Sequence, residues 1–228
     1  MTTLLIATRN AHKVGEIRAI LGPSFRLLTL TDFPAAPAVV EDAATFAGNA
    51  LKKAAELAAW VAGRRPQRGN GHVGEPVPDY VLADDSGLEV DALAGAPGVH
   101  SARFAALDNA AASATGNSTD ADNNAKLLRL LTGVPPAERT ARFRCVIALV
   151  PVLAARAGDP ASARTFDGVC AGRLQTAPSG RGGFGYDPLF IPEGFTQSFA
   201  ELGEDVKNRL SHRAQALAKL KRFLGEPA

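Results

Sequence analysis

TTLLIATRNAHKVGEIRAIL, residues 2–21, is the stretch that decides the fold. Residues 2–7 make a short apolar run bounded by a polar loop, the pattern of a buried strand. Val14, Ile17 and Leu21 then recur at helical spacing, so residues 11–21 read as an amphipathic helix that Gly22-Pro23 stops. Working outward, Phe46, Ala50, Ala54, Leu57 and Val61 mark a second, Ala-rich helix ending near Gly63. Residues 80–83 return to a strand that runs into Asp84-Asp85-Ser86-Gly87. Thr119 with Asp122 signals the cap of a helix through Leu131. Residues 142–150 alternate, with Phe143, Cys145, Ile147 and Leu149 on one face, as in a half-buried strand. Residues 165–170 and 173–176 read as two further strands, and Ser211 caps a last helix whose Leu217, Leu220 and Leu224 face the core. Strands and helices are mixed rather than segregated, which predicts a three-layer α/β architecture.

The chain has 228 residues, with 25 Lys+Arg against 23 Asp+Glu and a net charge of +2. That length suits one large α/β domain or two lobes, and it buries a core without disulfides or a structural metal. The balanced charge excludes a bulk electrostatic grip on a nucleic acid polymer, which calls for a strongly basic domain. No run approaches the about 18 apolar residues of a membrane span, and no secretory leader pattern opens the sequence. A cytoplasmic protein is expected. Cys145 and Cys170 sit in apolar strand-like runs and read as two reduced, buried thiols.

Several segments have the residue types for anion and metal chemistry. Thr8-Arg9-Asn10-Ala11-His12-Lys13 joins the first strand to the first helix. A helix N-terminus exposes unpaired N–H groups, so this turn suits phosphate, with Thr8 and Asn10 as side-chain donors and Lys13 as a full charge. Taken alone, the turn lacks the G-x-x-x-x-G-K-S/T signature of a P-loop, and an ordinary helix cap with a solvated lysine is its plainer reading. Asp84 and Asp85 end an apolar strand; extended, their side chains point to opposite faces, and an Asp-rich turn closed by Gly87 fits the spacing equally well. Glu41-Asp42 either complements a helix dipole or offers a hard oxygen ligand to Mg²⁺. Gly180-Arg181-Gly182-Gly183-Phe184-Gly185 spells G-x-G-x-x-G, but Pro188 and Pro192 follow where a dinucleotide fold needs a helix. Such a loop lets backbone approach a ligand, with Phe184 and Tyr186 as flat surfaces for a base; a tight turn with two core aromatics is the alternative. Lys207, Ser211, His212 and Arg213 bring donors to the start of the last helix.

Together these segments resemble the inosine/xanthosine triphosphate pyrophosphatases. The matching pieces are ATRNAHKVGEI from Ala7, EDAATFAGNALKKA from Glu41, LADDSGLEVDALAGAPGVHSARFA from Leu82, GGFGYDPLF from Gly182 and KNRLSHRAQAL from Lys207, in the family's order. The resemblance implies a mixed-sheet, ITPase-like α/β fold with two lobes around a central cleft, spanning residues 1–228 as a single domain and usually a homodimer. It implies Mg²⁺-dependent hydrolysis of free ITP, dITP and XTP to the monophosphate and pyrophosphate. It assigns Thr8, Arg9, Asn10, Ala11, His12 and Lys13 to triphosphate binding. Asp85 is the implied catalytic acid and a metal ligand, with Glu41 the second metal ligand, although Asp42-Ala43 stands where the family commonly has Thr-Gly. Ser86, Phe184, Gly185, Tyr186, Asp187, Lys207, His212 and Arg213 are the implied substrate contacts. Residues 63–79 and 106–118 look like loops longer than the family's. A sensor that binds nucleotides without turnover, and a pyrophosphatase for other modified nucleotides, are the alternative readings.

Overall fold

The structure is a computed structural model that describes residues 1–64, 77–108, 116–153 and 162–225. Six strands form one sheet in the order β2-β1-β3-β4-β5-β6: β1 Thr3–Ile6, β2 Arg26–Thr29, β3 Tyr80–Val90, β4 Thr140–Pro151, β5 Arg164–Leu174 and β6 Phe190–Pro192. β1 pairs parallel with both β2 and β3, while β5 and β6 pair antiparallel, so the sheet is mixed. Among the described residues the α-helices are α1 Ala11–Leu21, α2 Phe46–Gly63, α3 Asp120–Leu130, α4 Phe199–Leu202, α5 Glu204–Leu210 and α6 His212–Phe223.

Parallel neighbours need a crossover, and α1 supplies the one between β1 and β2. Leu4, Leu5 and Ile6 are fully buried, as a central strand with both faces covered requires. α1 follows the predicted bounds, from Ala11 to Leu21, and buries Ile17 and Leu21. α2 buries Phe46, Ala50, Ala54, Leu57, Ala58 and Val61 on one face. The strand β2 and the short β6 had no counterpart in the sequence reading.

β3 runs on past Ala83 to Val90, and two further strands differ from expectation. β4 is half-buried only at its start; Val146, Ala148 and Val150 are buried along with Cys145, Ile147 and Leu149. Its second half is continuously apolar, which is the composition of a strand covered on both faces. β5 is one strand, not two. Gly172, where the apolar pattern lapses, is a close approach: it pairs with Pro192, and a Cβ there would run into the Ile191 carbonyl and the Phe190 ring. The expected loop at residues 63–79 lies mostly outside the described residues, as does 109–115 of the second.

The chain divides into two compact units, residues 1–85, 146–167 and 216–228 in the first and residues 86–145 and 168–215 in the second. The second has its own apolar core, in which Leu88, Phe104, Leu127, Leu131, Phe143 and Phe190 take part. Cys145 and Cys170 are buried and form no disulfide.

Candidate active site

In the first unit the turn after β1 is shaped by its own side chains. Asn10 is the N-cap of α1, its Oδ1 accepting from Lys13 N at 3.1 Å, and Thr8 Oγ1 accepts from Asn10 N at 3.2 Å. Arg9 Nη2 donates to the Ala36 carbonyl at 2.9 Å, and Ala11 and His12 are exposed. Lys13 is not a solvated lysine. Its Nζ meets Asp84 Oδ1 at 2.5 Å, with the Asp84 side chain 0% exposed.

Asp84 and Asp85 lie within β3, not in a turn. An extended strand sends neighbours to opposite faces. Asp84 takes Lys13, and Asp85 Oδ2 accepts from Asn49 Nδ2 at 3.0 Å. Burial pushes the Asp85 carboxyl up to about 6, against the opposing pull of Lys53, Lys13 and the Asn49 hydrogen bond, while Glu41 pushes it up further. An acid so placed holds or releases a proton near neutral pH.

Asn49 and Lys53 were missed in the sequence. They stand four residues apart on the buried face of α2, Asn49 1% and Lys53 8% exposed. Lys53 Nζ donates to the Asp84 carbonyl at 2.7 Å and to Glu41 Oε2 at 2.9 Å. Asn49 Oδ1 accepts from Ala43 N at 2.9 Å, which ties the segment carrying Glu41 to the helix. Two polar residues on a helix face otherwise made of Phe46, Ala50, Ala54 and Leu57 were the available signal, because buried polar groups need partners. Asp42 instead pairs with Lys52 at the surface, at 2.6 Å.

In the second unit the glycine-rich segment forms a loop, as expected. Asp187, 1% exposed, is its internal tie: Oδ2 accepts from Phe184 N at 2.9 Å and from Lys207 Nζ at 2.5 Å. Gly183 has φ +73°, and a Cβ there would strike the Asp187 side chain. The Lys207 ammonium lies 4.4 Å from the Phe184 ring centroid and the Arg213 guanidinium 5.9 Å from it, which places two cations against one ring. Arg213 Nη2 donates to Ser86 Oγ at 2.9 Å. His212 is stacked on Phe143, with centroids 4.8 Å apart and planes 12° from parallel. Ser211 caps α6 as expected, Oγ accepting from Ala214 N.

Tyr186 departs from the stacking role expected of it. It is 3% exposed, its ring belongs to the apolar core, and its hydroxyl donates to the Ser101 carbonyl at 2.9 Å. A ring in the core supports the loop from beneath, and of the two aromatics Phe184 is the one that keeps partial exposure. Gly185 is held from outside the loop by Asp120 and Asn124 of α3, which the sequence reading also missed.

The first unit thus combines a desolvated carboxylate with lysines, and the second an aromatic ring flanked by cations. The chain is similar along nearly its whole length to known proteins. A dITP/XTP pyrophosphatase of Geobacter sulfurreducens is 48% identical over 99% of this chain and 98% of its own length. A dITP/XTP pyrophosphatase of Desulforamulus reducens is 43% identical over 97% of this chain and 94% of its own. Among solved structures, a HAM1 protein from Coxiella burnetii superposes with a TM-score of 0.75 at 33% identity, covering 99% of both chains. The Staphylococcus aureus Ham1 protein gives 0.74 at 31%, covering 98% of both. The Ham1 family profile matches residues 4–223, from β1 to the end of α6, and leaves no part of either site outside it: the chain belongs to the Ham1 family.

Proposed function

We propose that this chain hydrolyses deaminated purine nucleoside triphosphates, ITP, dITP and XTP, to the monophosphate and pyrophosphate. The observation that carries the reading is Asp85, a buried carboxyl poised near neutrality beside Lys13 and Lys53. The names of the relatives at 48% and 43% identity supply the substrate class. Asp85 takes a proton from the attacking water as the water oxygen bonds to phosphorus and the α–β anhydride oxygen leaves with pyrophosphate. Lys13 and Lys53 meet the negative charge of the phosphates, with the N–H groups of residues 8–13 beside them. In the second unit Phe184 stacks on the base, and Arg213 and His212 donate toward the carbonyl at position six. Adenine carries an amino donor there, and a donor facing donors is rejected by as much as ~10⁴-fold.

The residues fit Mg²⁺ as cofactor. Among the described residues no group of three or more His, Cys, Asp or Glu gathers as a metal site. Mg²⁺ nonetheless needs only one or two carboxylates, the rest of its shell being water and substrate phosphate. Asp85 and Glu41 are hard oxygen donors near enough for Glu41 to raise the Asp85 pKa. When bound, the ion offsets phosphate charge. A cytoplasmic homodimer completes the proposal; among the described residues no helix is long and apolar enough to cross a membrane.

A panel of nucleoside triphosphates, read by pyrophosphate release with and without Mg²⁺, tests the whole reading. ITP, dITP and XTP are expected to turn over well above ATP and GTP, and equal rates across the purines would refute the selectivity. Asp85→Asn is expected to lose turnover by about 10²-fold or more while still binding ITP. Binding of ITP by the unaltered chain without any hydrolysis would make it a sensor instead.

A further inference from the structure

The loop carrying Phe184 is held in place by a helix with no part in the chemistry described so far. Gly185 adopts φ +63°, a conformation that favours glycine, yet a Cβ there would have nothing within 4 Å. The glycine is required by its backbone conformation, not by crowding. Both polar groups of that backbone are tied to α3. Gly185 N donates to Asp120 Oδ2 at 2.6 Å, and the Gly185 carbonyl accepts from Asn124 Nδ2 at 2.9 Å. Asp120 and Asn124, four residues apart on a helix, share one face.

Their neighbours serve α3 and its surroundings. Thr119 Oγ1 accepts from Asp122 N at 3.1 Å and caps the helix. Asn123 Oδ1 accepts from Ala105 N at 2.8 Å and anchors the turn at Ala105–Asp108. Asp120 and Asn124 reach instead across 65 and 61 residues to a single glycine. With Asp187 holding the preceding N–H, that of Phe184, three successive peptide groups are fixed by separate side chains.

We propose that Asp120 and Asn124 are positioning residues for purine recognition: by clamping both sides of Gly185 they set the orientation of the Phe184 ring. The proposal rests on the reading that Phe184 holds the base. Neither residue touches substrate; each acts through the loop.

The test combines steady-state kinetics on ITP, calorimetric binding of inosine monophosphate, and inhibition by inorganic tripolyphosphate, which has no base. Asp120→Ala and Asn124→Ala are expected to raise KM for ITP and weaken monophosphate binding by about 5- to 30-fold, the worth of one part-buried or charge-assisted hydrogen bond, with kcat within about two-fold. Tripolyphosphate inhibition is expected to stay unchanged. Asp120→Asn, which keeps an acceptor for the Gly185 N–H, is expected to remain within about three-fold of the unaltered protein. Asn124→Asp, close in shape but without the donor, is expected to behave as Asn124→Ala and guards against a variant that fails to fold. KM unmoved in these variants, or tripolyphosphate inhibition lost in step with ITP, would overturn the proposal. Phe184→Ala is the companion measurement. If it leaves KM for ITP unchanged, the base-binding reading itself falls and the clamp with it; if it raises KM and the α3 variants do not, the clamp alone falls.

Discussion

Protonation of Asp85 links the chemistry of the site to the stability of the fold. An aspartate in an unfolded chain titrates near ~3.9, and burial raises this one to about 6 in the folded state. Between those values the folded chain binds the proton more tightly, so stability falls as pH rises through that window and levels off above it. A shift of about two units corresponds to a penalty of up to about 3 kcal/mol at pH 8. Asp85→Asn removes the ionisation. It is expected to raise the melting temperature of the metal-free protein at pH 8 and to leave it nearly unchanged at pH 4, while activity is lost. A lower melting temperature at pH 8 would mean that burial is not what perturbs this carboxyl. At this scale the sequence was half legible. The Asp84-Asp85 pair was visible because acids rarely close an apolar strand, but Asn49 and Lys53 were hidden in an Ala-rich helix whose period alone explained it. Their role appears only when β3 lies against that helix face and a buried carboxylate needs a donor.

Among the elements, β3 shows most clearly how the site is built into the fold. Continuing as a strand through Tyr80–Val90, it sends Asp84 and Asp85 to different partners by pleat alone. Just beyond the acids, Gly87 has no room for a side chain, because a Cβ would press on Ser101 and on the Gly98 carbonyl. Gly87→Ala is therefore expected to destabilise by about 1–3 kcal/mol, as overpacking against backbone does, measured by urea unfolding. An unaltered midpoint would show that the Gly98–Arg103 turn yields freely. The helices were the most legible elements, since α1 and α2 have strong periodicity and clear stops at Gly22-Pro23 and Gly63. The strands were less so. Gly172, which fell in the break between two expected strands, proved to lie inside β5 where β6 approaches closely, and that is a fact of tertiary contact with no local trace.

The molecule as a whole consists of two compact units, with β3, β4 and β5 each contributing residues to both. Strands shared in this way predict one cooperative unfolding transition. The chain carries its own probes. Trp60, the single tryptophan, packs edge-on to Phe33 in the first unit, while Cys145 and Cys170 are buried in the second. Burial also pushes the Cys170 thiol up to about 11, so it reacts only when exposed. Trp60 fluorescence and thiol reactivity are expected to change at the same urea concentration, and separate midpoints would show units that unfold independently. The pairing of Lys13 with Asp84 and of Lys53 with Glu41 has a consequence at this scale as well. These cations carry their counterions in the chain rather than borrowing them from the buffer. On the proposed reading, a triphosphate that takes up these lysines exchanges with a carboxylate that stays on the protein, so few small ions are set free by its binding. The entropy of ion release that drives proteins onto nucleic acids is largely missing here, and affinity for a highly charged ligand is left only weakly tied to the salt around it.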